Sequence, residues 1–462
     1  MATRRGGRTG RKRGVAGARR EDPARFDAAR HAERRERLLR TLGDGLLILP
    51  TAAHPLRNAD THYDFRPGSD FHYLTGFPEP ESVLVATRTG RRRHHAILFV
   101  RPRDPQREVW DGRRAGVDGA VERFGVDEAH PIGELFERLP ELLGGQSRLF
   151  HTLQRDRVFD EALMAATARH AQQRRRAAPA AHPEFRDPLP ELAAMRVVKS
   201  EDEIACLRRA AEITACGHLE AMAAARPGMA EYQVQAELEG TFRSLGARRN
   251  GYSSIVASGA NACTLHYVEN DRTMEPGDLL LIDAGAEYGM YTADVTRTFP
   301  VSGRFSPAQR AVYEVVLRAQ KAGIAAARVG RAWNAPHETC VRWLTKGLVE
   351  LGVLKGRVDA LIAKNAHRKW YMHGSSHWLG LDVHDAGAYV DARGKPVRLQ
   401  AGNVLTIEPG LYFDPSDKSV PKELRGIGVR IEDDVLVTAA GPDVLTARIP
   451  KELRDVEVAC VR

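Results

Sequence analysis

The chain has 462 residues, 43% of them hydrophobic and 28% charged, which supports two or three domains with real cores and excludes global disorder. Its formal charge of +9 invites a nucleic-acid reading, but eight of the nine excess charges are Arg4, Arg5, Arg8, Arg11, Lys12, Arg13, Arg19 and Arg20, so residues 21–462 carry about +1 and give no reason to expect nucleic acid. No apolar run approaches the roughly 18 residues that span a bilayer, and the five cysteines lack CxxC spacing, so the expectation is a soluble, cytoplasmic chain with no membrane association, disulfide framework or zinc knuckle.

Residues 1–20 are Gly/Arg-rich, cannot bury enough surface to offset ordering, and are expected to be a disordered basic tail. A phosphate- or RNA-binding arm is the functional alternative for them. Arg25 to Gly43 is helical in composition. The short apolar runs Gly45–Pro50, Ser82–Thr87, His95–Val100 and Ser147–Leu153 read as strands, with a helix at Gly133–Leu143. That alternation predicts an α/β first domain over 21–180. Residues 172–190 are rich in Arg, Ala and Pro, and a linker is set at 181–192.

The second half, 193–462, opens on Ser200-Glu201-Asp202-Glu203, a capping box for a helix that Arg226-Pro227-Gly228 ends. A second helix fits Glu231–Leu245. Strands follow at Ser253–Ser258, Leu279–Ala284 and Tyr291–Pro300. Pro307 then starts a helix at the position where its missing N–H costs nothing, and another fits Ala335–Leu351. Strands resume at Asn403–Pro409 and Val429–Val437. EPGDLLLIDAG (275–285) and QAGNVLTIEPG (400–410) echo each other, aligning Gly277 with Gly402 and Asp283 with Glu408. Each apolar strand thus carries one carboxylate at the matching place, weak evidence for an internal duplication.

Asp283 ends four apolar residues, where a carboxylate is costly unless paired or metal-bound. Asp294 lies eleven residues on, within reach across a hairpin. MHGSSHWLGLDVHD places His373, His377 and His384 within twelve positions among glycines. One histidine would mean little, but three so spaced look like a site. Glu408 sits in LTIEPG, and Glu432 follows Arg430 in GVRIEDD. Four carboxylates and one imidazole form a hard donor set that suits Mn²⁺, Mg²⁺, Co²⁺ or Fe²⁺, and five side chains suit two ions.

These motifs, in their order and spacing, resemble the pita-bread dinuclear metallopeptidases over roughly residues 193–446. DFRPGSDFHYLTGFPEP (64–80) and WDGRRAG (110–116) are similar to the N-terminal domain of aminopeptidase P (Xaa-Pro aminopeptidase). The resemblance implies an α+β, creatinase/aminopeptidase-like catalytic domain with a pseudo-twofold repeat, preceded by an α/β domain. It implies two divalent ions, Mn²⁺ foremost, held by Asp283, Asp294, His377, Glu408 and Glu432. Glu408 would also serve as the acid/base, with His266, His373, His384 and Arg430 assisting. Tyr412 would neighbour the site, and Trp110 would wall the pocket, from a neighbouring subunit. The implied activity is removal of an N-terminal residue before proline, in a dimeric or tetrameric enzyme. The alternatives are an Xaa-Pro dipeptidase (prolidase) and a metal-free peptide-binding module.

Overall fold

The computed structural model describes residues 24, 27–89, 93–144, 146–174 and 182–461. The expected tail at 1–20 and residues 175–181 of the Arg-rich stretch lie outside them.

GLLILP forms β1 (Gly45–Pro50) at the heart of a six-stranded mixed sheet. Its partners are β2 (Val83–Thr89), β3 (Arg93–Val100), β4 (Glu128–Pro131), β5 (Arg148–Phe150) and β6 (Glu184–Arg186), in the order β4-β3-β2-β1-β5-β6. The run is apolar throughout because both faces are covered. Leu47 and Leu49 meet Leu38, Leu39 and Leu42 of helix α1 (Ala28–Leu42), while Leu46 and Ile48 meet Leu135, Leu139 and Leu163. Asp27 starts α1 by accepting the Ala29 N–H at 3.0 Å. A short helix, α2 (Ser69–Thr75), is built from the DFRPGSDF motif. Part of the stretch read as a linker is used structurally. The extended backbone at Glu184–Arg186 joins the sheet edge parallel to β5, and helix α3 (Leu189–Val197) follows at once.

The second half repeats a helix pair followed by strands. Helix α4 (Glu201–Ala224) begins at the capping box, where Glu203 Oε2 accepts the Ser200 N–H at 2.9 Å. It packs on α5 (Glu231–Ser244), and α6 (Pro307–Ala326) packs on α7 (Ala335–Glu350). After the first pair come β7 (Ile255–Ser258), β8 (Leu279–Asp283) and β9 (Thr296–Pro300), antiparallel in the order β7-β8-β9. After the second come β10 (Val404–Ile407), the pair β11 (Gly410–Tyr412) and β12 (Gly428–Arg430), then β13 (Asp433–Thr438) and β14 (Gly441–Val444). Gly277 and Gly402 both adopt positive φ, 91° and 88°, so the two echoing segments turn into their strands alike.

Two expected strands are interrupted. Tyr291–Pro300 breaks at 293–295, and Val429–Val437 breaks at 431–432. In each gap an acid sits where the ladder lapses. The Asp294 N–H turns to the Asp434 carboxylate at 3.2 Å, and the Glu432 N–H to the Thr296 carbonyl at 3.1 Å. Polar backbone is satisfied outside the ladder, which frees both side chains to leave the sheet plane.

A single apolar cluster runs from the first sheet into the second half. It joins Leu47 and Phe71 to Met195, Leu207, Tyr291, Leu379 and Val404. No helix among the described residues is long and apolar enough to cross a membrane.

Candidate metal centre and active site

β8 delivers Asp283 at its last residue, and the hairpin beyond it returns Asp294. The return is tight: the Ala284 N–H bonds the Val295 carbonyl at 3.0 Å and the Ala293 N–H bonds the Ala286 carbonyl at 3.1 Å. Gly285 makes this possible, since a Cβ there would fall 1.7 Å from the Ala293 carbonyl oxygen. From the second of the two repeats, β10 delivers Glu408 one residue past its end, and the break before β13 delivers Glu432. The loop 371–386 supplies the histidines. Its backbone runs beside β10, with the Thr406 N–H on the His377 carbonyl at 3.1 Å and the Glu408 N–H on the Ser375 carbonyl at 2.9 Å.

All five expected ligand positions line one cavity of about 530 Å³, together with His266, His373, His384 and Arg430. Asp294, His377 and Glu432 each place one donor atom within 4.8 Å of the others. His377 Nε2 is 3.2 Å from Asp294 Oδ2 and 3.8 Å from Glu408 Oε1. Its Nδ1 sits 3.0 Å from the Trp378 carbonyl. That contact places one ring proton on Nδ1, so Nε2, which faces the carboxylates, is the nitrogen that would bind a metal ion in place of its proton. Asp283 joins through Tyr252, whose hydroxyl lies 2.6 Å from Asp283 Oδ1 and 2.5 Å from Asp294 Oδ1.

Arg430 is buried and bonded through all three of its nitrogens. It donates to Asp283 Oδ2 at 2.7 Å, to the Thr296 hydroxyl at 3.0 Å and to the Tyr412 hydroxyl at 3.1 Å. The Thr296 hydroxyl in turn donates to Glu432 Oε2 at 2.7 Å. Arg430 therefore touches Asp283 directly and Glu432 through one hydroxyl. His373 Nε2 is 2.8 Å from the Tyr412 hydroxyl, and its Nδ1 is 3.6 Å from Glu408.

The electrostatics describe a cluster short of positive charge. Burial pushes the Glu408 carboxyl up to about 8 and the Glu432 carboxyl well above its ordinary range. Burial also raises Asp283, against the pull of Arg430. Asp294 goes the other way. Burial opposes its charge, but His377, Tyr252 and Arg430 hold it below the ordinary range. His377 rises to about 9, because Asp294 and Glu408 outweigh the burial that would lower it. Burial and the Arg430 charge bring His373 down to about 3, so it is a neutral imidazole. Four carboxylates this close are tolerable as anions only with cations among them. Oxygen donors plus one imidazole nitrogen fit divalent ions of the harder kind.

Trp110 is not part of this cavity and is 87% exposed. Tyr252, Thr296 and Asp434 escaped the sequence reading. Tyr252 lies 31 and 42 residues from its two carboxylate partners, and nothing in NGYSS marks it. Thr296 follows Asp294 by two positions, and that alternation was the one signal available for it.

Residues 205–439 match metallopeptidase family M24, and residues 31–150 match the aminopeptidase P N-terminal domain. The Xaa-Pro aminopeptidase of Escherichia coli (strain K12) is 45% identical over 431 residues, covering 93% of this chain and 96% of that protein. That of Haemophilus influenzae is 44% identical over 92% and 95% of the two chains. Among solved structures, Pseudomonas aeruginosa aminopeptidase PepP superposes with a TM-score of 0.91 at 46% identity, covering 95% of this chain and 98% of the other. Zinc-substituted E. coli aminopeptidase P in complex with product gives 0.91 at 43%, covering 94% and 98%.

Proposed function

The chain belongs to the M24 metallopeptidases, and on that premise we propose that it is a metal-dependent Xaa-Pro aminopeptidase, which hydrolyses the bond between an N-terminal residue and a following proline. The reading is supported above all by the convergence of Asp283, Asp294, His377, Glu408 and Glu432 on one cavity that also admits His266, His373 and His384. We assign those five side chains to two divalent ions, Mn²⁺ foremost given the oxygen-rich donor set. Divalent ions held there would supply a water of near-neutral pKa and a Lewis acid for the carbonyl oxygen.

The protein's own groups do the rest. Glu408 removes the proton of the attacking water and returns it to the leaving nitrogen. That nitrogen belongs to the proline ring and leaves as a secondary amine, so it needs the proton. His266 and His384 face the cavity as donors toward the substrate carbonyl and the oxyanion that forms from it, and His373 lines it beside them. His373 is held neutral beside Arg430, its Nδ1–H donating to the Gly374 carbonyl at 2.6 Å and its Nε2 accepting from the Tyr412 hydroxyl at 2.8 Å, so it fixes Tyr412 beside the cavity. Arg430, locked on Asp283 and reaching Glu432 through Thr296, orients the carboxylates. Proline has no N–H and a φ fixed near −65°, which spoils strand-like docking in ordinary proteases. A recessed cavity with apolar Ile255, Leu265, Val268 and Val383 on its wall accepts the ring instead.

We assign the chain to a homo-oligomer, with the neighbouring exposed pair Val109 and Trp110 as part of the contact. The deciding assay is a peptide panel on chelator-treated protein with and without Mn²⁺. Release of the first residue from Xaa-Pro-Xaa tripeptides, restored by Mn²⁺, is the expected result. Cleavage of Xaa-Pro dipeptides alone makes it a prolidase. No cleavage, with fewer than one bound metal per chain, makes it a binding module.

A further inference from the structure

His384 is exposed to the cavity, with its ring 4.5 Å from that of His377 and nearly perpendicular to it. No hydrogen bond to its ring is present among the described residues. Its place is therefore fixed by its backbone, and the next residue is a buried acid with an unusual set of partners. Asp385 Oδ2 accepts from Lys199 Nζ at 2.9 Å, and Asp385 Oδ1 accepts from Arg196. Burial opposes its charge, but Lys199 and Arg196 outweigh it and hold the carboxyl below the ordinary range. The Asp385 N–H bonds the Trp378 carbonyl at 2.9 Å, which closes the loop that carries His384.

The same guanidinium reaches the first half of the molecule. Arg196, on α3, donates to Asp70 of α2 at 2.8 Å and to Asp382 at 2.7 Å. Ser69 of α2 donates to Asp382 at 2.5 Å, and Arg66 donates to the Leu381 carbonyl at 2.5 Å. DFRPGSDF, a motif that the chemistry of the cavity leaves unused, thus grips the loop 381–385 from the N-terminal side.

We propose that Asp385 is a positioning residue for His384, and that Asp70, Arg196 and Lys199 anchor it so that the N-terminal unit holds one wall of the active site. The proposal rests on the aminopeptidase reading for its catalytic consequence, but its structural core does not. In Asp385→Asn the charge is lost and one carboxylate oxygen becomes an NH2 that faces either Lys199 or Arg196, which already donate, so one of the two anchoring bonds is lost and the loop is loosened.

Two measurements test this. Hydrogen exchange of segment 380–386 needs no activity: Asp385→Asn and Asp70→Asn should each quicken it by about tenfold, at unchanged exchange in β8 and β10. Unchanged exchange in 380–386 overturns the proposal. Kinetics on an Xaa-Pro-Xaa peptide, with metal-loaded enzyme of verified metal content, read the consequence. Asp385→Asn should lower kcat by about 10–100-fold with KM within about threefold, and should cost nothing further when His384→Ala is already present. Losses that multiply instead show that Asp385 does not act through His384. Should Asp385→Asn fail to fold, Asp70→Asn is read in the same two backgrounds by the same criteria. An unaltered chain without peptidase activity refutes the aminopeptidase reading alone, because the exchange result still decides the anchor.

Discussion

Tyr252 has one hydroxyl proton and two carboxylate neighbours, so it bonds only one of Asp283 and Asp294 at a time. Burial and the charges of Asp283 and Asp294 raise the phenol well above its ordinary range, which keeps that proton on the oxygen. Glu408 carries the sharpest consequence at this scale. Glu408→Ala should lower kcat by about 10²–10⁴-fold with the fold intact, measured by Xaa-Pro cleavage beside circular dichroism. Near wild-type turnover would refute its role. His218 gives a pH prediction away from the cavity. It is buried on α4, 3.0 Å from the Ala284 carbonyl, and burial lowers it from the ordinary 6.5 to about 4. Its folded pKa is the depressed one, so between about 6.5 and 4 the unfolded chain binds the extra proton. Stability is therefore full above pH 6.5 and falls as pH drops toward 4, by about 2 kcal/mol at pH 5 from this group. Urea midpoints from pH 7 to 4 should fall less steeply in His218→Gln. An unchanged slope would show that His218 is not the group.

At the scale of elements, most limits follow from local chemistry. α6 starts at Ser306-Pro307 because the Ser306 hydroxyl accepts the Gln309 N–H at 3.3 Å while Gln309 Oε1 accepts the Ser306 N–H at 2.9 Å. Ser306→Ala should cost about 1 kcal/mol of stability and leave peptidase activity unchanged, since the cap is remote from the cavity. Gly285→Ala should do the reverse of a mild change. The added methyl collides with the Ala293 carbonyl, the hairpin opens, and Asp283 and Asp294 separate. Metal binding by isothermal titration should then weaken by more than tenfold even where the chain folds. The strand breaks at 293–295 and 431–432 were not legible, because a period-two apolar pattern continues through both. What breaks the ladder is a partner far away in the chain: Asp434 for the Asp294 N–H, and Thr296 for the Glu432 N–H.

At the scale of the molecule, two similar repeats each present acids to one cavity, and on the proposed reading bound cations balance the charge there. Removing metal with a chelator should abolish activity, keep secondary structure and lower the thermal midpoint, with Mn²⁺ restoring both activity and midpoint. Ligand that binds only the folded chain adds about 2.7 kcal/mol at a hundredfold excess over Kd, which sets the size of the shift. A midpoint indifferent to metal would mean that the carboxylate cluster does not hold one. The N-terminal unit shares a continuous apolar cluster with the second half through Phe71, Met195, Leu207 and Leu379. It is therefore part of the catalytic scaffold, and the ionic anchor at Asp385 lies at that same seam.

The sequence by itself determined the capped helix starts at Ser200 and Ser306, the doubled strand-with-acid pattern and the candidates Asp283, Asp294, His377, Glu408, Glu432, His266, His373, His384 and Arg430 that line the cavity. Those follow from capping groups, apolar runs and residue types at fixed spacing, all of which are local. Only the tertiary structure decided that Tyr252 joins the two aspartates, that Glu432 is reached by Arg430 through Thr296, and that Asp385 faces Arg196 and Lys199. Each of these is a contact between segments tens to hundreds of residues apart. The opening charge illustrates the division. Counting places eight of nine excess charges in the first twenty residues, whereas the negative cluster that matters for chemistry exists only once the two repeats within residues 193–462 bring their carboxylates together. Burial, not composition, sets the energy of those charges, and burial is a property of the fold.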